Sequence, residues 1–376
     1  MPEFLTMLKG VIDSPDIPLN VSRSYLQADG NVKKISSYIT RKVADKLKSL
    51  FTNNSEDFQN KWNDIKIVLE YGMLTDEKFY EKANDFVLYP TTEGQYYTLS
   101  ELKEAIKANQ TDKNDTLVVL YAQNKEQQYT AIEEAKAKGY QVLLLDSPIV
   151  SHLIQKLEEK NEKLTFARVD AAPLSKLIQK DEPILAKHSE EEKNTLKADI
   201  EKVLPKEGYM VQIEDLDSDD TPFVINQPEF MRRMKEMSQY QQGMGFYAQM
   251  PDTYTIVLNS DHAIIKQILN ESNASTAEKL QPIRSEIKGL QAREAALRQE
   301  QGKKKPEEVT QNEKDELKNT EDELTKQRNE KNTVIADYAK NNNAIHQLID
   351  LALLQNGLLK GAALDKFIKR SVDLIK

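Results

Sequence analysis

Residues Val11–Gln27 read VIDSPDIPLNVSRSYLQ, and this stretch decides how the rest of the chain is interpreted. Pro15 and Pro18 restrict the backbone of the residues before them to extended conformations, which predicts a non-helical strap. Ser22 is suited to cap a short following helix, so that Arg23 would be its first residue. A cation at that position meets the positive end of the helix dipole, at a cost of about 0.3–1 kcal/mol. Either the guanidinium is simply solvated, or Arg23 is held for an anion such as a phosphate.

The strap resembles the motif VxDSxDLPLNxSRExLQ of the ninety-kilodalton heat-shock chaperone family, especially in its bacterial form. Eleven positions match: Val11, Asp13, Ser14, Asp16, Pro18, Leu19, Asn20, Ser22, Arg23, Leu26 and Gln27. Ser24 and Tyr25 depart from the motif, which usually has glutamate and an aliphatic residue there. The resemblance implies that Arg23 reaches the γ-phosphate of ATP bound in a separate N-terminal domain, and that Gln27 supports this contact. In the family a long region precedes the strap, so we expect this chain to be a fragment.

Composition limits the classes of function. The chain has 376 residues, which suggests about two to three domains. Its 52 basic and 61 acidic residues give a net charge of −9, which argues against a general nucleic-acid binder. It has no cysteine, and therefore no disulfide, thiolate metal site or cysteine nucleophile. With no apolar run of membrane-spanning length and no secretory pattern at its start, we expect a cytoplasmic protein that contacts no membrane.

Residues 1–85 are predicted to be mostly helical after the strap. Apolar residues recur at intervals of three and four through residues 31–83, which is typical of amphipathic helices packed on a core. We expect Gly72 to interrupt this pattern, and Trp62, the only tryptophan, to be a core anchor.

Residues 86–187 are predicted to form a small α/β subdomain. Continuous apolar runs at 116–122 and 142–145 indicate two buried strands, and the segment between them, 125–138, indicates a helix that ends at a glycine. Together they form a βαβ unit. Its first turn lacks the GxGxxG pattern, which argues against a dinucleotide site. The resemblance implies that residues 1–187 are the C-terminal part of the chaperone middle domain.

Residues 188–376 complete a multidomain α+β fold. We expect a helix at 196–204 and short strands at 209–213, 222–225 and 253–258. The resemblance implies that this region is the C-terminal dimerisation domain of the family.

A methionine-rich stretch follows Pro228, which can begin a helix. Four apolar side chains fall at helical spacing: Phe230, Met231, Met234 and Met237. Such a stripe is often core, but flexible methionines can also fit many partners. The resemblance implies a client-binding helix that uses these residues. A second client surface of bacterial members includes a tryptophan; the corresponding position here is His152, which favours an ordinary surface histidine.

Residues 275–340 are predicted to be a charged insert. Coiled-coil spacing on both sides of GKKKPEE, at 302–308, favours an antiparallel hairpin of two helices. The family pattern has nothing of this length here, so the resemblance assigns it no role. It is either a solvated spacer arm or a docking arm for a partner. If the arm is the functional part, the chain would be a structural coiled-coil adaptor, which is the main alternative to a chaperone.

Leu258–Ile265, LNSDHAII, resembles a family signature of the type LNPDHxxI. Asp261 and His262 could suggest a catalytic dyad, but no nucleophile or cluster of metal ligands accompanies them. We therefore expect packing and capping, with Asp261 as the helix cap, and no metal site.

Two amphipathic helices end the chain. Their apolar residues are Ile345, Leu348, Ile349, Leu353, Leu364, Phe367, Ile368 and Val372. These helices could pack on their own domain. The resemblance implies instead that they form a four-helix bundle with a second copy of the chain, as a two-fold interface.

Taken together, the resemblance implies part of an ATP-dependent chaperone that binds unfolded or partly folded proteins as a C-terminally linked homodimer. ATP and magnesium would belong to the parent protein. We expect this chain to bind no cofactor and to hydrolyse no ATP by itself, because we expect it to have no nucleotide pocket of its own.

Overall fold

The computed structural model describes residues 2–6, 30–180, 187–205, 208–216, 221–238, 245–305 and 308–375. The chain divides into two compact units. One contains residues 1–181 and 229–250, and the other contains residues 182–228 and 251–376. Both units combine helices with small sheets, which confirms the predicted multidomain α+β class.

The helical part of the first unit confirms the periodicity of residues 31–83. It contains α1 (Gly30–Asn53), α2 (Ser55–Asn60), α3 (Trp62–Thr75) and α4 (Glu77–Ala83). Trp62 is buried, as expected of a core anchor, and its ring lies 6.3 Å from that of Phe58. The expectation that Gly72 interrupts the pattern is wrong, because α3 continues through it. A Cβ at Gly72 would lie within 2.8 Å of the rings of Phe4 and Phe79, so this glycine permits close packing.

The α/β part of the first unit is built on three parallel strands in the order β4-β3-β5. Its elements are β1 (Tyr89–Pro90), β2 (Tyr96–Tyr97), α5 (Leu99–Gln110), β3 (Leu117–Ala122), α6 (Tyr129–Ala137), β4 (Val142–Leu144), α7 (Val150–Lys160), β5 (Leu164–Arg168) and α8 (Leu174–Leu177). The predicted βαβ unit is confirmed as β3–α6–β4. Gly139 follows α6 with a φ of 75°, a conformation that favours glycine. Strand β5 was not predicted.

The remaining elements, in chain order, are α9 (Glu190–Glu201), β6 (Tyr209–Glu214), β7 (Phe223–Asn226), α10 (Glu229–Ser238), α11 (Gly245–Gln249), β8 (Tyr254–Asn259), α12 (Ala263–Gly302), α13 (Gln311–Lys340), α14 (Asn343–Gln355) and α15 (Gly361–Ile375). Helices α10 and α11 belong to the first unit and the others to the second. In the second unit, β8 lies between a parallel β6 and an antiparallel β7. The three strands predicted here are confirmed.

Helix α9 begins six residues earlier than predicted. Ser189 caps it by accepting a hydrogen bond from the backbone of Glu192, while the Glu192 carboxylate accepts one from the backbone of Ser189. This reciprocal pair is a capping box, and it satisfies backbone donors at a helix start. The helix then packs through its buried residues, which are Thr195, Leu196, Ala198, Asp199 and Ile200.

The predicted charged hairpin is confirmed as α12 and α13, which pack side by side. Ion pairs connect the two helices, including Arg293 with Glu316 and Arg298 with Glu321, both at 2.7 Å. Pro282 lies inside α12 without ending it. Among the described residues, no helix is both long and apolar enough to cross a membrane.

Candidate functional site

The two strap residues assigned to the γ-phosphate, Arg23 and Gln27, lie outside the described residues. Their assignment stays a prediction. The first described helix after the strap is α1.

Helix α10 packs on the α/β part of the first unit through a buried arginine, Arg232. Arg232 is 4% exposed. Its Nη2 donates to the hydroxyl of Tyr121 on β3 and to Glu229 Oε1, both at 2.6 Å, and its Nη1 donates to Glu236 Oε1. Glu236 also accepts a hydrogen bond from Ser151 on α7. One guanidinium therefore joins the helix to the sheet and is held between two carboxylates.

Arg233 adds a second attachment. Its Nη1 donates to Glu158 on α7 at 2.9 Å, its Nη2 donates to the carbonyl oxygen of Phe166 on β5, and its Nε donates to Glu229 at 2.8 Å. Burial alone would raise the pKa of Glu229, but Arg232 and Arg233 outweigh it and hold this pKa below its ordinary value. The carboxylate therefore stays ionised at neutral pH and both ion pairs persist.

Because the arginines face the fold, three of the four apolar residues of α10 are only partly covered. Phe230 is 63% exposed, Met231 and Met234 are half-buried, and Met237 is buried. We call Phe230, Met231 and Met234 the α10 surface. Three of the four residues predicted from the methionine stripe thus reach the surface, and the fourth does not. A surface with flexible methionines can contact apolar segments of different shapes.

Sequence reasoning missed the anchoring role of the arginines and one exposed aromatic residue. Glu229, Arg232, Arg233 and Glu236 are spaced by three or four residues, which indicates ion pairs within the helix but not the contacts with Tyr121 and Glu158. The aromatic residue is Phe246 on α11, which is 72% exposed.

His152 lies on α7 with a half-buried side chain. Burial lowers the pKa of its imidazole, so the neutral form is favoured at neutral pH. Burial explains the lowered pKa without any charged neighbour. This is consistent with the expectation that His152 is an ordinary histidine.

The cap at the start of α12 is not the one predicted. His262 is the capping residue, and its Nδ1 accepts a hydrogen bond from the backbone of Ile264 at 3.2 Å. Asp261 instead forms ion pairs with Lys187, at 2.6 Å, and with Lys266. These cations lower the pKa of Asp261, with the Lys187 hydrogen bond as the largest cause. Both side chains have structural partners, and their arrangement is not that of a catalytic dyad.

The C-terminal helices divide their apolar residues between core and surface. Ile345, Ile349, Leu353 and Phe367 are buried in the core of the second unit, and Leu348 and Leu364 are partly buried against it. Ile368 and Val372 on α15 are 51% and 48% exposed. Of the eight residues predicted for the interface, these two are the ones most available to a partner.

Within the described part of the chain, no group of three or more His, Cys, Asp or Glu residues is placed to hold a metal ion.

Comparison with known proteins agrees with the resemblance of the strap. A family model described as Hsp90 protein matches residues 1–283. The chain is 48% identical over 379 residues to the Chaperone protein HtpG of Bacteroides thetaiotaomicron and 47% identical over 378 residues to that of Porphyromonas gingivalis. These alignments cover 100% of this chain but 56% and 55% of the relatives, so the chain spans little more than half of their length. The predicted family is confirmed, and the chain belongs to the Hsp90 protein family.

Proposed function

We propose that the chain is the middle and C-terminal part of an ATP-dependent molecular chaperone that binds unfolded or partly folded proteins. The observation that carries this proposal is the packing of α10, whose buried arginines leave Phe230, Met231 and Met234 accessible. The relatives are named chaperones, which supports the same activity. Residues 1–187 would be the middle-domain part, and residues 188–376 would be the dimerisation domain with the insert at 275–340.

In this proposal ATP and magnesium bind in a separate N-terminal domain of the parent protein. Arg23 contacts the γ-phosphate there, and Gln27 supports that contact. An arginine supplied to a transferring phosphate from another domain raises the rate by ~10³ or more in other nucleotide hydrolases. In the parent protein, Arg23→Ala should therefore lower ATP turnover and leave nucleotide affinity nearly unchanged. Unchanged turnover would remove the role assigned to Arg23.

Two copies of the chain would associate through α14 and α15, in the cytoplasm. The exposure of Ile368 and Val372 supports this interface, because adjacent apolar residues on a terminal helix are stabilised when a second copy covers them. The buried apolar residues of these helices would pack in the core of the second unit and so fix the position of the two helices.

Client binding is tested with Phe230→Asp combined with Met234→Asp, measured as suppression of aggregation of a heat-unfolded model protein. The matched control is Tyr129→Asp on α6, because Tyr129 is also 63% exposed in the first unit. We expect the double variant to bind unfolded protein at least about tenfold more weakly, and the control to bind normally. Full binding by the double variant, with an unchanged circular dichroism spectrum, would make α10 a purely structural helix.

Dimerisation is tested with Ile368→Asp combined with Val372→Asp in light scattering, where we expect a monomer. Ile67→Asp is the control, since Ile67 is 43% exposed on α3 of the first unit. Truncation before Ala344 should also give a monomer. A dimer that persists in both variants would place the interface elsewhere.

A further inference from the structure

A groove of about 890 Å³ lies where α9 meets the base of the α12–α13 hairpin. Ile287, which lines the groove, packs against a buried apolar cluster of Ala198, Leu280, Ile283 and Ile335. The groove lies entirely within the second unit. It is separate from the α10 surface and from the exposed residues of α15.

The walls of the groove carry more positive than negative charge. Arg284 and Lys288 line it from α12, and Arg328 and Lys331 line it from α13. Against these four cations stand Glu190 and Glu191 of α9. This local excess of positive charge contrasts with the net charge of −9 of the whole chain, and it would attract an anionic segment to the groove.

Only one carboxylate of the groove is neutralised by its cations. Glu191 lies 3.0 Å from Lys331 and 3.1 Å from Arg284. The pKa of Glu191 is lowered, mainly by its hydrogen bond to Lys331, so the carboxylate is charged at neutral pH. These three side chains therefore form a fixed ionic cluster on one side of the groove.

The other two cations remain available. Lys288 and Arg328 are exposed and have no ion-pair partner among the residues that the structure describes. Arg284, in contrast, is held by Glu191 and by Asn273, whose Oδ1 accepts a hydrogen bond from its Nη2 at 3.1 Å.

Ile287 gives the groove an apolar contact point. It is partly buried, it follows Arg284 by three residues on the surface of α12, and it lines the groove together with Lys288. A compact phosphate would leave this contact unused and would be repelled by Glu190. A peptide whose carboxylates are separated by an apolar side chain would use both kinds of contact.

We propose that this groove binds an acidic segment of another protein, in which carboxylates flank an apolar side chain. Lys288 and Arg328 would pair with the carboxylates, and Ile287 would contact the apolar side chain. This gives the hairpin a docking role that does not depend on the chaperone activity proposed above. The partner would contact the base of the hairpin, where the groove lies.

The test measures binding of a fluorescently labelled synthetic peptide of glutamate pairs alternating with leucines, using the whole chain. The disrupting variant is Lys288→Glu with Arg328→Glu. The control is Lys314→Glu with Lys318→Glu, which makes the same change of charge on exposed residues of α13 outside the groove. We expect the disrupting variant to lose at least about tenfold in affinity and the control to lose less than about twofold. Binding should also weaken as salt is raised.

A peptide with glutamates only should bind more weakly than the leucine-containing peptide, since it leaves Ile287 without a contact. The proposal is overturned if the labelled peptide does not bind or if both variants lose affinity equally. It is also overturned if inorganic polyphosphate competes better than the leucine-containing peptide, because the groove would then be a site for polyanions. If the disrupting variant instead changes the oligomeric state in light scattering, the occupant is a second copy of this chain.

Discussion

Phe230 on α10 and Phe367 on α15 both lie on the apolar stripe of an amphipathic helix, yet Phe230 is 63% exposed and Phe367 is 8% exposed. Helix α15 packs Phe367 against the core of the second unit, with Leu364 partly buried beside it. In α10, Arg232 and Arg233 face the fold and make the contacts that hold the helix. Amphipathic spacing therefore shows that a helix has an apolar side and a polar side. Which side is buried depends on the residues that the rest of the fold brings against it.

The largest effect expected from this comparison is on the stability of the second unit. Phe367→Ala should lower its free energy of unfolding by about 3–5 kcal/mol, because it removes a buried ring and leaves a cavity. Phe230→Ala should change the stability of the first unit by no more than about 0.5 kcal/mol, since its side chain is mostly in water. Urea unfolding followed by circular dichroism measures both. Equal losses would show that the two rings are buried alike in solution.

A smaller effect is expected when the anchor of α10 is removed. Arg232→Ala leaves Tyr121, Glu229 and Glu236 without their shared donor and should cost about 2–3 kcal/mol. Because Glu229 and Glu236 are partly exposed, water can replace some of the lost contacts. Hydrogen exchange should show faster exchange of the α10 amides.

The control for this variant is Arg298→Ala on the hairpin. Arg298 also pairs with two carboxylates, but its side chain is 60% exposed. Its loss should cost less than about 0.5 kcal/mol. If the two arginine variants are equally stable, burial of Arg232 does not hold α10 on the sheet.

The smallest effect concerns an acid that is buried and not ion-paired. Asp199 on α9 is fully buried, with a hydrogen bond from Ser272 at 3.3 Å, and burial raises its pKa to about 7. The folded state thus binds this proton more tightly than the unfolded state, so stability should fall as the pH rises from about 4 to about 7. Asp199→Asn should therefore be more stable than the unmodified chain at about pH 8, by roughly 1–2 kcal/mol, and should lose this advantage near pH 4.

Urea unfolding at several pH values gives the measurement for Asp199. Asp322→Asn on α13 is the control, because Asp322 is exposed. If the stability difference for Asp199→Asn does not depend on pH, Asp199 is not a neutral acid in the folded chain.

The parts of the fold that the sequence predicted well are those with a strong local pattern. Strand β3 is an uninterrupted apolar run, and five of its six residues are buried. Strand β5 was missed because it alternates, with Leu164 and Phe166 buried between less buried residues, inside a highly charged region. The early start of α9 was missed although Ser189 and Glu192 have the spacing of a capping box.

The candidate site was predictable in its residues but not in its orientation. The spacing of Phe230, Met231 and Met234 indicated one side of a helix. Nothing local indicated that Arg232 would meet Tyr121, which lies 111 residues earlier in the chain. A long-range partner of this kind is set by tertiary packing, and single-sequence periodicity contains no information about it. The same reason explains why Met237 was grouped with the exposed residues.

The structure of the hairpin also indicates which part of the chain can change in length during evolution. Helix α12 has 40 residues, and Ile283 is its last buried residue, so at 1.5 Å per residue the arm beyond it is about 30 Å long. Among the residues of that outer part that the structure describes, none belongs to a strand or to the main core of the second unit. Turns could therefore be gained or lost in matching numbers on the two helices without disturbing the core. The outer arm can vary in length between descendants while the sheet and the terminal helices stay under constraint.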